Sequence, residues 1–280
     1  MNNDKVTSDL MVEAYTYQKQ GDLSLAIKSW NTLINYVSDN QEIIANAHLN
    51  LGHLHLQQGN SDLSYESMAK AIAANPNSPE AFYCLAYMEQ EKENFHEAIE
   101  LFESVLKLKP EDVGAINNLA NCYDRINKSR DSIKAYSRVI SIDPEYIAAY
   151  YNRGNAYSKI AKDELALKDL NKAIELDNNF YQAYYNRGSI YNRLGKNQLA
   201  KKDLNKAKKL AKEEIEKSKQ RLSNEKVQDD LDSKDSLPCS KTDNVVTNDS
   251  NGGVEETPEG ETGSTEPAVN PMEPKDPPSA

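Results

Sequence analysis

Long apolar runs are missing from this sequence. None approaches the roughly 20 residues that cross a bilayer, so no membrane insertion is expected. The opening stretch MNNDKVTSDL has neither a positively charged lead nor an apolar core, so no signal peptide is expected either. Cysteine is scarce: Cys84, Cys122 and Cys239 are odd in number, far apart and without metal-ligand spacing. That pattern suits reduced thiols in a cytosol-like compartment, and a cytoplasmic location is expected.

Catalytic signatures are missing as well. There is no nucleotide-binding glycine loop, no nucleophile–base pair, and no paired carboxylates in a framework that would bury them. His48, His53 and His55 share one predicted helix, but His48 and His55 fall on its packing side and His53 on the opposite side. The three do not converge on a metal. The chain reads as a non-enzyme with no cofactor.

A surplus of positive charge is the last absence. The net charge is −11, and the 56 residues from Glu225 onward hold 14 acids and 4 bases. The body before them, with 30 acids and 29 bases, is nearly neutral. A neutral body argues against general electrostatic binding to nucleic acid or to an anionic membrane. Residues 223–280 also hold seven of the eleven prolines and no aromatic residue. Such a segment cannot bury enough apolar surface to offset its conformational entropy, so an acidic, Pro-rich disordered tail is expected there.

What is abundant is self-similarity. YYNRGNAYSKI (150–160) returns after 34 residues as YYNRGSIYNRL (184–194). Sliding the chain against itself at that spacing gives units beginning near Ala45, Pro79, Val113, Ile147 and Tyr181. A sixth, divergent unit begins near Thr7, four residues out of phase. Numbering each unit from 1, position 8 reads Ala14, Gly52, Ala86, Ala120, Gly154 and Gly188. Position 20 reads Ala26, Ser64, Ala98, Ser132, Ala166 and Ala200. All twelve are small, as close helix crossing requires. Position 24 is bulky (Trp30, Met68, Phe102, Tyr136, Leu170, Leu204) and is expected to fill the space between neighbouring units. Position 11 is usually tyrosine: Tyr17, Tyr123, Tyr157 and Tyr191. Pro76, Pro110 and Pro144 at position 32 stop the second helix of three units.

This pattern resembles the tetratricopeptide repeat (TPR), a 34-residue helix–turn–helix with small residues at positions 8 and 20 and proline at 32. The resemblance covers residues 7–210. It implies an all-α fold: a right-handed superhelical solenoid of about six units spanning residues 7–222, ending in a capping helix formed by AKEEIEKSKQRL. Two departures stand out. Arg153 and Arg187 replace the apolar residue usual at position 7, and the last two units lack the closing proline. The two arginines are expected to pair with acids of an adjacent helix.

The resemblance places the first helix of each unit on the concave wall. At 100° per residue, positions 4, 8 and 11 point one way and positions 2, 6, 9 and 13 the other, towards the groove. Position 6 holds Asn50, Asn118, Asn152 and Asn186, interrupted by Cys84 and preceded by Val12. Position 9 adds Asn121 and Asn155. Glycine at the end of Asn-Arg-Gly serves packing, whereas the asparagine is not needed for it. An amide both donates and accepts, so a row of them can hold a peptide main chain. The row is similar to the asparagine ladder inside the repeat superhelix of O-GlcNAc transferase, whose catalytic domain has no counterpart here. Arg125, Lys159 and Arg193 at position 13 form a basic row beside it, suited to carboxylates. These nine residues are the candidate peptide-binding set, and the expected function is a non-catalytic adaptor or assembly scaffold holding an extended partner segment. Two alternatives stand beside it. One is a co-chaperone-like grip on an acidic C-terminus, which needs a cationic half that Asn117 and Gln182 do not supply. The other is self-assembly into a homo-oligomer through the solenoid edges.

Overall fold

The turn joining the two helices of each unit is built the same way six times. Position 15 has positive φ in every unit: Gly21, Gly59, Glu93, Asn127, Ala161 and Gly195, with φ between 56° and 78°. The next N–H reaches back to the carbonyl of position 11, as in Lys162 N to Tyr157 O at 2.9 Å and Lys196 N to Tyr191 O at 2.8 Å. This backward bond closes the end of the first helix and sets the direction of the second.

The computed structural model describes residues 3–37 and 39–228. Among them are twelve helices: α1 (Asn3–Gln20), α2 (Leu23–Tyr36), α3 (Gln41–Gln57), α4 (Ser61–Ala74), α5 (Pro79–Glu91), α6 (Phe95–Leu108), α7 (Val113–Arg125), α8 (Ser129–Ile142), α9 (Ile147–Lys159), α10 (Asp163–Leu176), α11 (Tyr181–Arg193) and α12 (Asn197–Gln228). Odd-numbered helices open units and even-numbered ones close them. Local chemistry marks several starts. Ser78 Oγ accepts from Ala81 N at 3.4 Å ahead of Pro79, and Asp112 Oδ1 accepts from Ala115 N at 2.8 Å.

The twelve small residues at positions 8 and 20 are all buried. At position 24, Trp30, Met68, Phe102, Tyr136 and Leu170 have no exposed surface. These bulky residues sit against position 8 of their own unit, not only between units. A Cβ placed on Gly154 would lie 3.2 Å from Leu170 Cγ and 3.3 Å from the Ala166 carbonyl oxygen. One on Gly188 would lie 3.0 Å from Leu204 Cγ. The buried members of each apolar cluster come from one unit and the first helix of the next, as Ala86, Phe102, Val105 and Leu119 do across α5, α6 and α7. The core is thus a row of local contacts, as in other solenoids. First helices of successive units also touch (α5 with α7, α7 with α9, α9 with α11), whereas no comparable contact joins second helices among the described residues. The first helices therefore crowd along the inner wall.

Proline is not the only stop. Asp143 Oδ1 accepts from Glu145 N at 3.0 Å and Asp177 Oδ1 from Asn179 N at 2.9 Å, side-chain turns that end α8 and α10. Asp177 does this without a following proline. The last unit has Ala211 and Lys212 at positions 31 and 32, so nothing interrupts the helix. The expected capping helix is therefore the continuation of α12, which runs on to Gln228. The expected disordered tail otherwise lies outside the described residues, as does Cys239.

Two substitutions test this packing. Gly154→Leu drives a large side chain into Leu170 and the Ala166 carbonyl, and should lower stability by about 1–3 kcal/mol, read as a lower melting temperature by circular dichroism. Ala161→Gly relieves a left-handed residue that carries a Cβ, a conformation costing roughly 1–2 kcal/mol. Set against glycine's greater unfolded-state entropy, that substitution should raise the melting temperature slightly.

Candidate groove on the first helices

Asn-Arg-Gly at positions 6 to 8 does three different things in the structure. Glycine admits the position-24 side chain. Arginine reaches 16 residues on: Arg153 Nε and Nη2 donate to Asp169 at 2.7 and 2.8 Å, and Arg187 repeats this with Asp203 at 2.6 and 2.8 Å. Each also donates through Nη1 to the preceding unit, at Ser137 Oγ (2.9 Å) and Asn171 Oδ1 (2.7 Å). Both carboxylates are buried, with side chains 5% and 6% exposed. The Arg187 guanidinium is held above its ordinary value, first by the bond to Asp203 and against the burial that would lower it. The expected pairing with acids of an adjacent helix is what the structure shows.

Asparagine departs from expectation. Asn118, Asn121 and Asn152 are buried, and Asn118 has no exposed surface. Asn118 Nδ2 donates to Tyr83 OH at 2.9 Å, and Asn152 Nδ2 to Asn121 Oδ1 at 3.3 Å. Tyr136 OH donates to the same Asn121 oxygen at 2.7 Å. Asn186, half-buried, donates to both Tyr151 OH (3.0 Å) and Asn155 Oδ1 (2.8 Å). Asn50 bonds within its own helix, to Asn46 O at 2.9 Å. Asparagine at position 6 is therefore needed for packing after all: from Asn118 onward it links one first helix to the one before. Helical periodicity shows which way position 6 points, but not that the neighbouring first helix lies close enough to take the bond.

The basic row is likewise occupied. Arg125 pairs with Glu93 (2.7 Å) and lies over the Phe95 ring, and Lys159 pairs with the buried Asp124 (2.7 Å). Arg193 pairs with Asp163 and donates to Ser158 Oγ at 2.9 Å. Each cation at position 13 thus ties to the preceding unit instead of standing free in the groove. The tyrosines at position 5 and the acids at positions 12, 17 and 23 were missed in the sequence. Their signals were a 35-residue Tyr-to-Asn spacing (Tyr83 to Asn118, Tyr151 to Asn186) and a 16-residue Arg-to-Asp spacing.

After these bonds, open hydrogen-bonding capacity remains on both sides of the contact between α9 and α11. Asn155 Nδ2 and Asn186 Oδ1 take no bond from the described residues, and both side chains are half-buried between α9 and α11. One is a donor pair and the other an acceptor. Earlier along the wall, Asn118 Oδ1 and both amide atoms of Asn117 are also unpaired, but they are buried out of reach.

Other candidates fall away from the groove. His53 is buried rather than facing it, and burial lowers His48 and His55 below the ordinary histidine value. Among the described residues no group of three His, Cys, Asp or Glu side chains could hold a metal. Cys84 and Cys122 are buried thiols outside any disulfide, and burial pushes the Cys122 thiol up to about 12. No helix among the described residues is long and apolar enough to cross a membrane.

Comparison with known proteins agrees with this geometry. Tetratricopeptide repeat family models match residues 45–78, 79–112, 147–180 and 181–214, and a further TPR repeat model matches 127–160. The chain belongs to the tetratricopeptide repeat family, whose solenoids serve as protein-interaction scaffolds. Its fold is similar to a crystal structure of MamA protein (25% identity, TM-score 0.56, covering 62% of this chain and 93% of that one). It is also similar to MamA from Desulfovibrio magneticus RS-1 (20%, 0.58, 63% and 97%). A third similar structure is YrrB, described as a TPR protein with an unusual peptide-binding site (18%, 0.58, 66% and 93%). No curated protein matches the sequence significantly.

The paired arginines and the buried thiol each give a test. Arg153→Met leaves Asp169 buried without its partner and should cost about 3 kcal/mol, whereas the double change with Asp169→Leu should recover much of that loss in a thermal melt. The alkaline limit follows from groups kept protonated by the fold. Burial raises Cys122 to about 12 from an ordinary 9.0, and burial with the nearby Asp124 charge raises Tyr136 well above 10.0. The folded state holds these protons more tightly than the unfolded chain. Stability should therefore be full below about pH 9 and fall as pH rises from there towards 12, read by denaturant titration across that range.

Proposed function

We propose that this chain is a non-catalytic adaptor or assembly scaffold, working in the cytoplasm, that holds an extended segment of a partner protein against the inner wall at α9 and α11. The observation that carries this reading is the open amide pair, Asn155 Nδ2 and Asn186 Oδ1. A peptide main chain offers a carbonyl to the first and an N–H to the second, so an extended segment can be gripped with little regard to its side chains. The rest of the candidate set has a supporting part. Asn118, Asn121 and Asn152 bind neighbouring helices together, and Arg125, Lys159 and Arg193 clamp successive units at their internal acids. A preference of the groove for acidic partners gains no support from cations already neutralised in this way.

Partner capture on the tagged full-length chain, followed by affinity measurement with the recovered protein, tests the proposal. Asn155→Ala combined with Asn186→Ala should weaken binding by the folded protein by about 1–3 kcal/mol per lost main-chain bond, with a modest fall in melting temperature because Tyr151 OH loses its Asn186 donor. Asn118→Ala should lower the melting temperature, because it removes the buried amide that ties α7 to Tyr83 of α5, and leave the affinity of the remaining folded protein little changed. Parental affinity in the Asn155/Asn186 variant removes the groove from the proposal.

A further inference from the structure

Positive charge in this protein is concentrated on one helix. Residues 1–195 contain 26 acids and 19 bases, whereas residues 196–221 contain ten bases and four acids. Six lysines, Lys201, Lys202, Lys206, Lys208, Lys209 and Lys212, fall within twelve residues of α12, and all six are exposed. Among the described residues, α12 packs chiefly against α11, burying Ala200, Asp203, Ala207 and Leu210 on that side. The lysines occupy the remaining circumference in two rows, 202-206-209 and 201-208-212, spanning about 17 Å at 1.5 Å per residue.

Unlike the groove cations, these are not neutralised. Among the described residues Lys209 reaches only Glu213, at 3.8 Å, and the other five make no ion pair. Like charges three and four residues apart destabilise a helix, so stability alone does not favour this arrangement.

We infer that the lysine face of α12 is a docking surface for a short, charge-dense acidic peptide segment of a partner protein. Charge complementarity selects an anion, and three features select its kind. The face has no aromatic residue on which bases could stack. Its two exposed large apolar side chains, Leu199 and Ile215, stand singly at opposite ends of the lysine rows, so the face has no apolar stripe to enter a lipid surface. The acid-rich body beside it repels a long polyanion, whereas a peptide of about ten residues stays within the reach of the lysines. The chain's own stretch from Glu225 carries one acid in four residues, against one lysine in two on this face.

The full-length chain is titrated with fluorescein-labelled decaglutamate at low salt and followed by anisotropy. Saturable binding is expected, weakening about tenfold when salt rises towards physiological strength. A variant with Lys202→Gln, Lys206→Gln, Lys209→Gln and Lys212→Gln should lose about tenfold in affinity and melt no lower than the parent, since helix-surface repulsion is removed. Asn155→Ala with Asn186→Ala should leave decaglutamate binding unchanged, which separates this surface from the groove. Absence of decaglutamate binding, parental affinity in the lysine variant, or loss of binding in the asparagine variant would overturn the inference. So would tighter binding of a ten-nucleotide single-stranded DNA, or of phosphatidylserine vesicles, through the same lysines.

Discussion

Within each hairpin, the distance between the two helices decides where every other side chain can go. Gly154 and Gly188 let Leu170 and Leu204 approach to a separation that a Cβ would occupy. Alanine and serine do the same in the other units, where Ala86, Ala98, Ala120 and Ser132 have no exposed surface. Close approach brings position 7 within reach of position 23, so Arg153 and Arg187 can use both ends of the guanidinium on one carboxylate. It also sets the tilt that stacks one hairpin on the next, and first helices then meet along the inner wall. The polar residues of that wall are spent on this meeting.

Stacking and binding therefore compete for the same amides. In the middle of the array stacking wins, because Asn118, Asn121 and Asn152 lie where two first helices touch and an unpaired amide in a dry contact is costly. Towards the last units the wall opens, since α11 has no further first helix beyond it among the described residues. Asn186 still spends both N–H bonds on the previous helix, but its oxygen and the Asn155 amide nitrogen are left over. A binding site of this kind arises from the end of a repeat rather than from a special motif.

Much of the fold was legible from 34-residue spacing alone, because small residues, bulky residues and prolines each report a local requirement that recurs with the unit. Positions 8, 20 and 24 are examples, and the Arg153 and Arg187 pairings followed from charge placed on a packing face. Three things were not legible in the same way. The depth of the inner wall depends on curvature, which no helical wheel contains, so Asn118 looked like a groove residue and is a buried one. The end of α10 comes from Asp177 folding onto Asn179 N rather than from a proline, and the lack of either signal lets α12 run on. Charge balance also misled: a body of nearly zero net charge conceals an acid-rich solenoid and a lysine-rich last helix.

The position of the groove is tested most directly by amide hydrogen exchange on the full-length chain, with and without its captured partner. Added protection should be confined to the inner helices of the last two units, residues 147–159 and 181–193, leaving residues 113–125 unchanged. Protection centred on 113–125, or on the second helices, would contradict a groove that opens between α9 and α11.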